Sequence, residues 1–106
     1  MNLALVKIIP WRGPEYLDWI RTLPCAVCGT TRGVEAAHTG SHGMRSKAPD
    51  YRAIPLCAAH HRERPDSHHA FGGNSQKFGD VHNIDVNELV LKLIAIWISL
   101  GNSIGG

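Results

Sequence analysis

Apolar positions along this chain follow helical spacing at both ends and lose it in the middle. After Gly13-Pro14, residues Tyr16, Trp19, Ile20 and Leu23 recur at spacings of three and four. One face of a helix is therefore apolar, and a core-facing helix is predicted from Pro14 to about Leu23. Pro14 suits its first position, where the N–H that proline lacks has no intrahelical partner to lose. Towards the other end, Leu89 to Ile98 is an apolar run broken by Lys92. It is far shorter than the roughly 20 residues a membrane-spanning helix needs, so a buried helix is predicted. Asp85 and Glu88 before this run read as a capping box, and Gly101 is placed to end it.

From Cys25 to Cys57 the helical period is absent, and Gly29, Gly33, Gly40, Gly43 and Pro49 punctuate the chain. Two short strands are predicted, about Val34 to Thr39 and Tyr51 to Leu56, joined by a loop. A short helix then starts at Cys57 and must stop near Arg64, because Pro65 cannot continue it. Gly72-Gly73 marks a turn before a helical piece around Gln76 to Val81. Met1 to Arg12 reads as an extended lead-in. The expectation is one α+β domain over residues 1–106: lead-in and helix at 1–24, a core at 25–85 and a C-terminal helix at 86–101.

Composition narrows this picture only a little. With 43% hydrophobic and 19% charged residues, the chain has the composition of an ordinary soluble globular protein rather than of a disordered one. A net charge of +2 does not by itself announce a nucleic-acid partner, so local clusters must carry that argument. The 3 cysteines are an odd number, two of them form Cys25-Ala-Val-Cys28, and no secretory leader pattern precedes them. A metal in a reducing cytoplasm is the expectation, with no membrane.

The spacing of potential ligands supports that metal. Cys25-x-x-Cys28 places two thiolates on a tight turn, and Cys57-x-x-His60 places two more ligands on one helical turn, a set suited to tetrahedral Zn²⁺. A set of four leaves no open position, which makes the zinc structural. A redox Cys-x-x-Cys is the weaker reading, because no βαβ pattern surrounds Cys25. Neighbours on a helix differ by about 100°, so if His60 faces the zinc, His61 points elsewhere. His38 at the end of the first strand and His69 past the proline break can return to the same side. His38, His61 and His69 are thus predicted to form a second cluster. His68 and His82 read as surface residues.

Taken together and in order, Cys25-x-x-Cys28, Ala37-His38, and Ile54-Pro-Leu-Cys57-x-x-His60-His61 resemble the HNH endonucleases of the ββα-metal (His-Me finger) fold in their zinc-knuckle version. The order of Ala37 to Gly40, Lys47 to Asp50, Pro55 to His61, and His69 to Gly72 is similar to small phage and prophage members, including the recombination-enhancement (Ref-like) type. The resemblance covers about Leu23 to Asp85. It implies metal-dependent hydrolysis of DNA phosphodiesters, with His38 as general base and with His61 and His69 as ligands of a catalytic divalent ion such as Mg²⁺ or Mn²⁺. A histidine base suits cellular pH, since imidazole titrates at about 6.5.

Two departures stand out against that pattern. Ala37 occupies a position where many HNH enzymes carry a ligand, and no asparagine lies near Arg52. Asp50 is then a ligand or an orienter of His38. His42 is a substrate contact, an alternative base or a solvated loop residue. Arg45, Lys47, Arg52, Arg62 and Arg64 flank the site in sequence and are expected to contact DNA phosphates, which supplies affinity without sequence readout. A recombination or DNA-packaging protein is a further expected partner. The competing expectation is a zinc-knuckle module that binds nucleic acid or protein without catalysis.

Overall fold

A computed structural model describes residues 12–40 and 48–104. The lead-in up to Trp11 and the loop residues His42, Arg45 and Lys47 lie outside the described residues. Helix α1, Pro14–Ile20, opens as expected with proline in its first turn. It ends before Leu23 because Leu23 precedes Pro24, and a residue before proline disfavours helical backbone. The chain instead tightens there, with Leu23 N donating to Ile20 O at 3.1 Å.

Two strands, β1 (Val34–His38) and β2 (Ala53–Cys57), pair antiparallel, with Val34 opposite Cys57 and His38 opposite Ala53. The second strand starts later than expected. Asp50–Arg52 forms a 3₁₀ turn, closed by Arg52 N donating to Pro49 O. Pro55 in the middle of β2 is tolerated for a geometric reason. Ala58 N donates to Gly33 O, so alternate pairs exchange hydrogen bonds and the Ala36–Pro55 pair does not. The missing N–H of Pro55 therefore leaves the hairpin intact, and its outward carbonyl accepts from Ala26 N at 2.8 Å.

After β2 comes a wide turn, Ala59–Glu63, in place of the expected α-helix. Arg64 N reaches back five residues to Ala59 O, the π-helical bond, and Pro65 ends the turn. A 3₁₀ turn at His69–Phe71 leads into α2, Ser75–His82, whose cap is Asn74 accepting from Lys77 N at 3.0 Å. Helix α3, Val86–Ser99, is capped as predicted by Asp85 accepting from Glu88 N at 3.0 Å.

The core lies between α1, the hairpin and α3. Val86, Val90, Leu93 and Trp97 form one buried stripe of α3, and Ile54 and Leu56 of β2 are fully buried with Tyr16 and Ile20 of α1. Tyr16 stacks at 4.7 Å on Tyr51 and meets Trp97 edge-on at 5.4 Å, linking the two helices through aromatic contact. The expected buried helix is buried on one face only: Leu91, Ile96 and Ile98 are each about half exposed. Lys92 sits among them and pairs with Glu88 at 2.9 Å, so the helix is one-sided. The chain is a small α+β protein with a two-stranded antiparallel sheet. Among the described residues, no helix is long and apolar enough to cross a membrane.

Candidate metal centre and histidine site

Local backbone geometry builds the first half of the metal centre. Cys25 N donates to Thr30 O and Gly29 N to Cys25 O, each at 2.9 Å, which closes the Cys25–Cys28 segment into a tight turn. Gly29 has φ 75°, a left-handed backbone that glycine adopts without a Cβ penalty. The Ala26–Pro55 hydrogen bond then docks this turn beside β2. Cys57 ends β2, and the wide turn swings His60 back over it. The four ligand atoms of Cys25, Cys28, Cys57 and His60 all lie within 4.8 Å of one another.

The individual separations test the fit to a metal. Cys28 Sγ and Cys57 Sγ are 3.9 Å apart, and His60 Nδ1 stands 3.2 Å from Cys57 Sγ and 4.0 Å from Cys25 Sγ. Zinc bonds of about 2.3 Å to sulfur and about 2.0 Å to nitrogen, set at tetrahedral angles, require separations of about 3.6–3.8 Å. No disulfide uses these thiols. Burial pushes the Cys25 thiol up, but the N–H groups of Cys28, Cys57 and Val27 directed at its sulfur hold it below the usual thiol range. Burial, together with the crowding of Cys25 and Cys28, raises Cys57. A divalent cation relieves that crowding, because it favours coordinated thiols as thiolates. Burial, then the neighbouring Arg64 and His82 side chains, lowers His60, and a neutral imidazole is the ligating form. This donor set can hold a divalent metal such as zinc.

His60 and His61 diverge on the wide turn. His61 turns to β1, where its Nδ1 lies 2.7 Å from Glu35 Oε1, and its ring meets His69 at 4.7 Å between centroids. Glu35 also accepts from both Nε and Nη2 of Arg62 at 3.0–3.3 Å. The hydrogen bonds from Arg62, then from His61, lower the Glu35 carboxyl to about 2. Burial lowers His61, against the opposing pull of Glu35. Glu35 is a residue the sequence reading did not single out. Strand alternation puts it on the same face as Ala37 but names no partner for it.

The His38 ring takes a separate partner. Its Nε2 lies 2.8 Å from Asp50 Oδ1, while Asp50 Oδ2 accepts from Gly13 N at 2.8 Å. Asp50 is only 3% exposed. Burial pushes its carboxyl up, yet the His38 and Gly13 hydrogen bonds and the nearby Arg12 hold it below the usual range. Asp50 thus stands as a partner of His38. Of the three histidines expected to cluster, His61 and His69 meet each other, and His38 pairs with Asp50. Glu35 and His38 are three residues apart on β1, about 10 Å along the strand, with side chains on opposite faces.

Other expected residues fall as follows. His68 is not a surface residue: it is 3% exposed, its Nε2 lies 3.0 Å from Ser75 Oγ, and burial lowers it to about 4. Ser75 Oγ also accepts from Gly40 N, so this network ties the end of β1 to the start of α2. The His82 side chain is 8% exposed and hydrogen-bonds to Asp66 O at 2.7 Å. Each described arginine proposed to touch phosphate has an internal partner: Arg52 donates to Thr39 O and Asn87, Arg62 to Glu35, and Arg64 to Asp66.

Comparison with known proteins adds relationship and no activity. No solved structure matches this chain. The chain is similar to "Uncharacterized protein YdfU" of Escherichia coli (strain K12), 39% identical over 64 residues. That match covers 58% of this chain and 18% of the relative, so the chain spans under a fifth of the relative's length. A family described as "Protein of unknown function (DUF968)" matches residues 2–93, which include all four metal-centre ligands and both histidine groups. The chain belongs to the DUF968 family.

Proposed function

We propose that this protein is a metal-dependent HNH endonuclease of the ββα-metal fold that hydrolyses DNA phosphodiesters, with a structural zinc at Cys25, Cys28, Cys57 and His60. The observation that carries the proposal is the His38–Asp50 pair. A buried carboxylate held ionised can only accept, so His38 Nε2 donates to it and the lone pair is left on Nδ1. That is the arrangement a general base needs, and Asp50 takes the orienting role that the missing asparagine leaves open. His38 Nδ1 accepts the proton of a water attacking phosphorus, and Asp50 stabilises the imidazolium that results. His61 and His69 would hold a divalent ion, Mg²⁺ or Mn²⁺, which would supply neutralisation of charge on the phosphoryl group and the departing 3′ oxygen.

Two observations favour a non-catalytic zinc-knuckle module that binds nucleic acid or protein. Ala37 supplies no ligand beside His38, and Arg52, Arg62 and Arg64 are all engaged internally. Plasmid nicking by the zinc-loaded protein in Mg²⁺ or Mn²⁺ separates the two. The nuclease nicks, and His38→Ala loses about 10²- to 10⁴-fold in rate while still binding DNA. If only His42→Ala is inactive, the base is His42. Binding of DNA with no nicking by the wild type, across metals and DNA forms, refutes the enzyme.

A further inference from the structure

Glu35 belongs to no motif, yet three hydrogen-bond donors of neighbouring side chains converge on it. Oε1 takes His61 Nδ1 at 2.7 Å and Arg62 Nε at 3.1 Å, and Oε2 takes Arg62 Nη2 at 3.0 Å. The fold produces this meeting. Glu35 pairs with Leu56 across the hairpin, one residue before Cys57, and the wide turn that follows carries His61 and Arg62 back over β1. The turn is closed by the five-residue reach of Arg64 N to Ala59 O, in place of an α-helical bond.

The chemistry of this group has one consistent proton arrangement. The Arg62 fork is always cationic and donates twice, which keeps Glu35 an anion and therefore an acceptor only. His61 Nδ1 must then carry the proton, and its Nε2 carries the lone pair. The identity of the nitrogen that can meet a metal is set by the bond the other nitrogen makes. We infer that Glu35 is a positioning residue, fixing the tautomer and ring orientation of His61 so that Nε2 is the atom presented to a divalent ion, with Arg62 holding Glu35 off that ion. The assignment of an ion to His61 rests on the nuclease reading; the tautomer does not. Glu35 on this view is the counterpart, for His61, of Asp50 for His38, so each histidine is oriented by a carboxylate from a different part of the hairpin region.

Two measurements on the zinc-loaded full chain test this. Ring ¹⁵N spectra of histidine-labelled protein, with His61 assigned from its loss in His61→Ala, report the tautomer directly. The wild type is expected to show protonated Nδ1 and bare Nε2. Glu35→Ala should lose that preference, and Glu35→Gln should keep it, because an amide oxygen accepts the same hydrogen bond. Titration with Mn²⁺ should show Glu35→Ala weakened by about 10- to 100-fold and Glu35→Gln by less. A Glu35→Ala protein with the wild-type tautomer, or with wild-type Mn²⁺ affinity, overturns the inference. If the wild type binds no Mn²⁺ beyond its zinc, the nuclease reading fails alone, and the tautomer result decides whether Glu35 orients His61.

Discussion

Asp50 is the most informative single residue to perturb, because it joins the N-terminal helix, the hairpin and His38. Its carboxylate accepts from Gly13 N and His38 Nε2, each at 2.8 Å, and it is 3% exposed. Asp50→Ala leaves the buried Gly13 N–H without its partner, which costs about 1–3 kcal/mol. The His38 bond adds less than a buried charged bond would, since the ring is 40% exposed and water replaces the partner. A total loss of about 2–4 kcal/mol is expected, read as a lower urea midpoint at unchanged slope. Asp50→Asn separates stability from chemistry. Its Oδ1 keeps the Gly13 bond while its NH₂ faces His38, which makes Nε2 an acceptor and moves the proton to Nδ1. Folding should change by about 1 kcal/mol or less, while nicking should fall by about 10²-fold or more. The pH dependence follows from the lowered Asp50 carboxyl. Stability from Asp50 is fully present above its ordinary value of 3.8 and is lost as pH falls through its lower folded value. Asp50→Asn should lack that acid-side slope. Unchanged urea stability in Asp50→Ala, or an Asp50→Asn protein with the wild-type His38 tautomer and nicking rate, would refute the reasoning.

Two further outcomes follow from the metal centre and the helix packing. Cys57→Ser should lose tightly bound zinc and unfold the Cys25–His60 region, whereas His61→Ala should retain both; metal analysis with circular dichroism checks this, and a Cys57→Ser protein that keeps stoichiometric zinc would contradict the ligand set. Gly79→Ala should destabilise by about 1–3 kcal/mol, because its Cβ would press into the Ile84 backbone carbonyl and against Val86, and a melting temperature equal to wild type would contradict that close α2–α3 approach.

Several features were decided by sequence because their causes are local. The period of Tyr16 and Ile20, the Asp85 cap, the Pro65 stop, and the paired spacing of Cys25-x-x-Cys28 and Cys57-x-x-His60 each depend on residues within one or two turns. Spacing also separates His60 from His61, since adjacent side chains diverge on any helical turn. Tertiary structure alone decided what each diverging residue meets. Glu35 finds His61 26 residues away, and Asp50 finds Gly13 37 residues away, through packing of α1 and the wide turn on the hairpin. The same packing buries His68 and leaves one face of α3 open, although both segments read otherwise in isolation. A histidine's partner and its burial are properties of the surfaces folded against it, and a one-dimensional pattern records only the side chains it brings to that meeting.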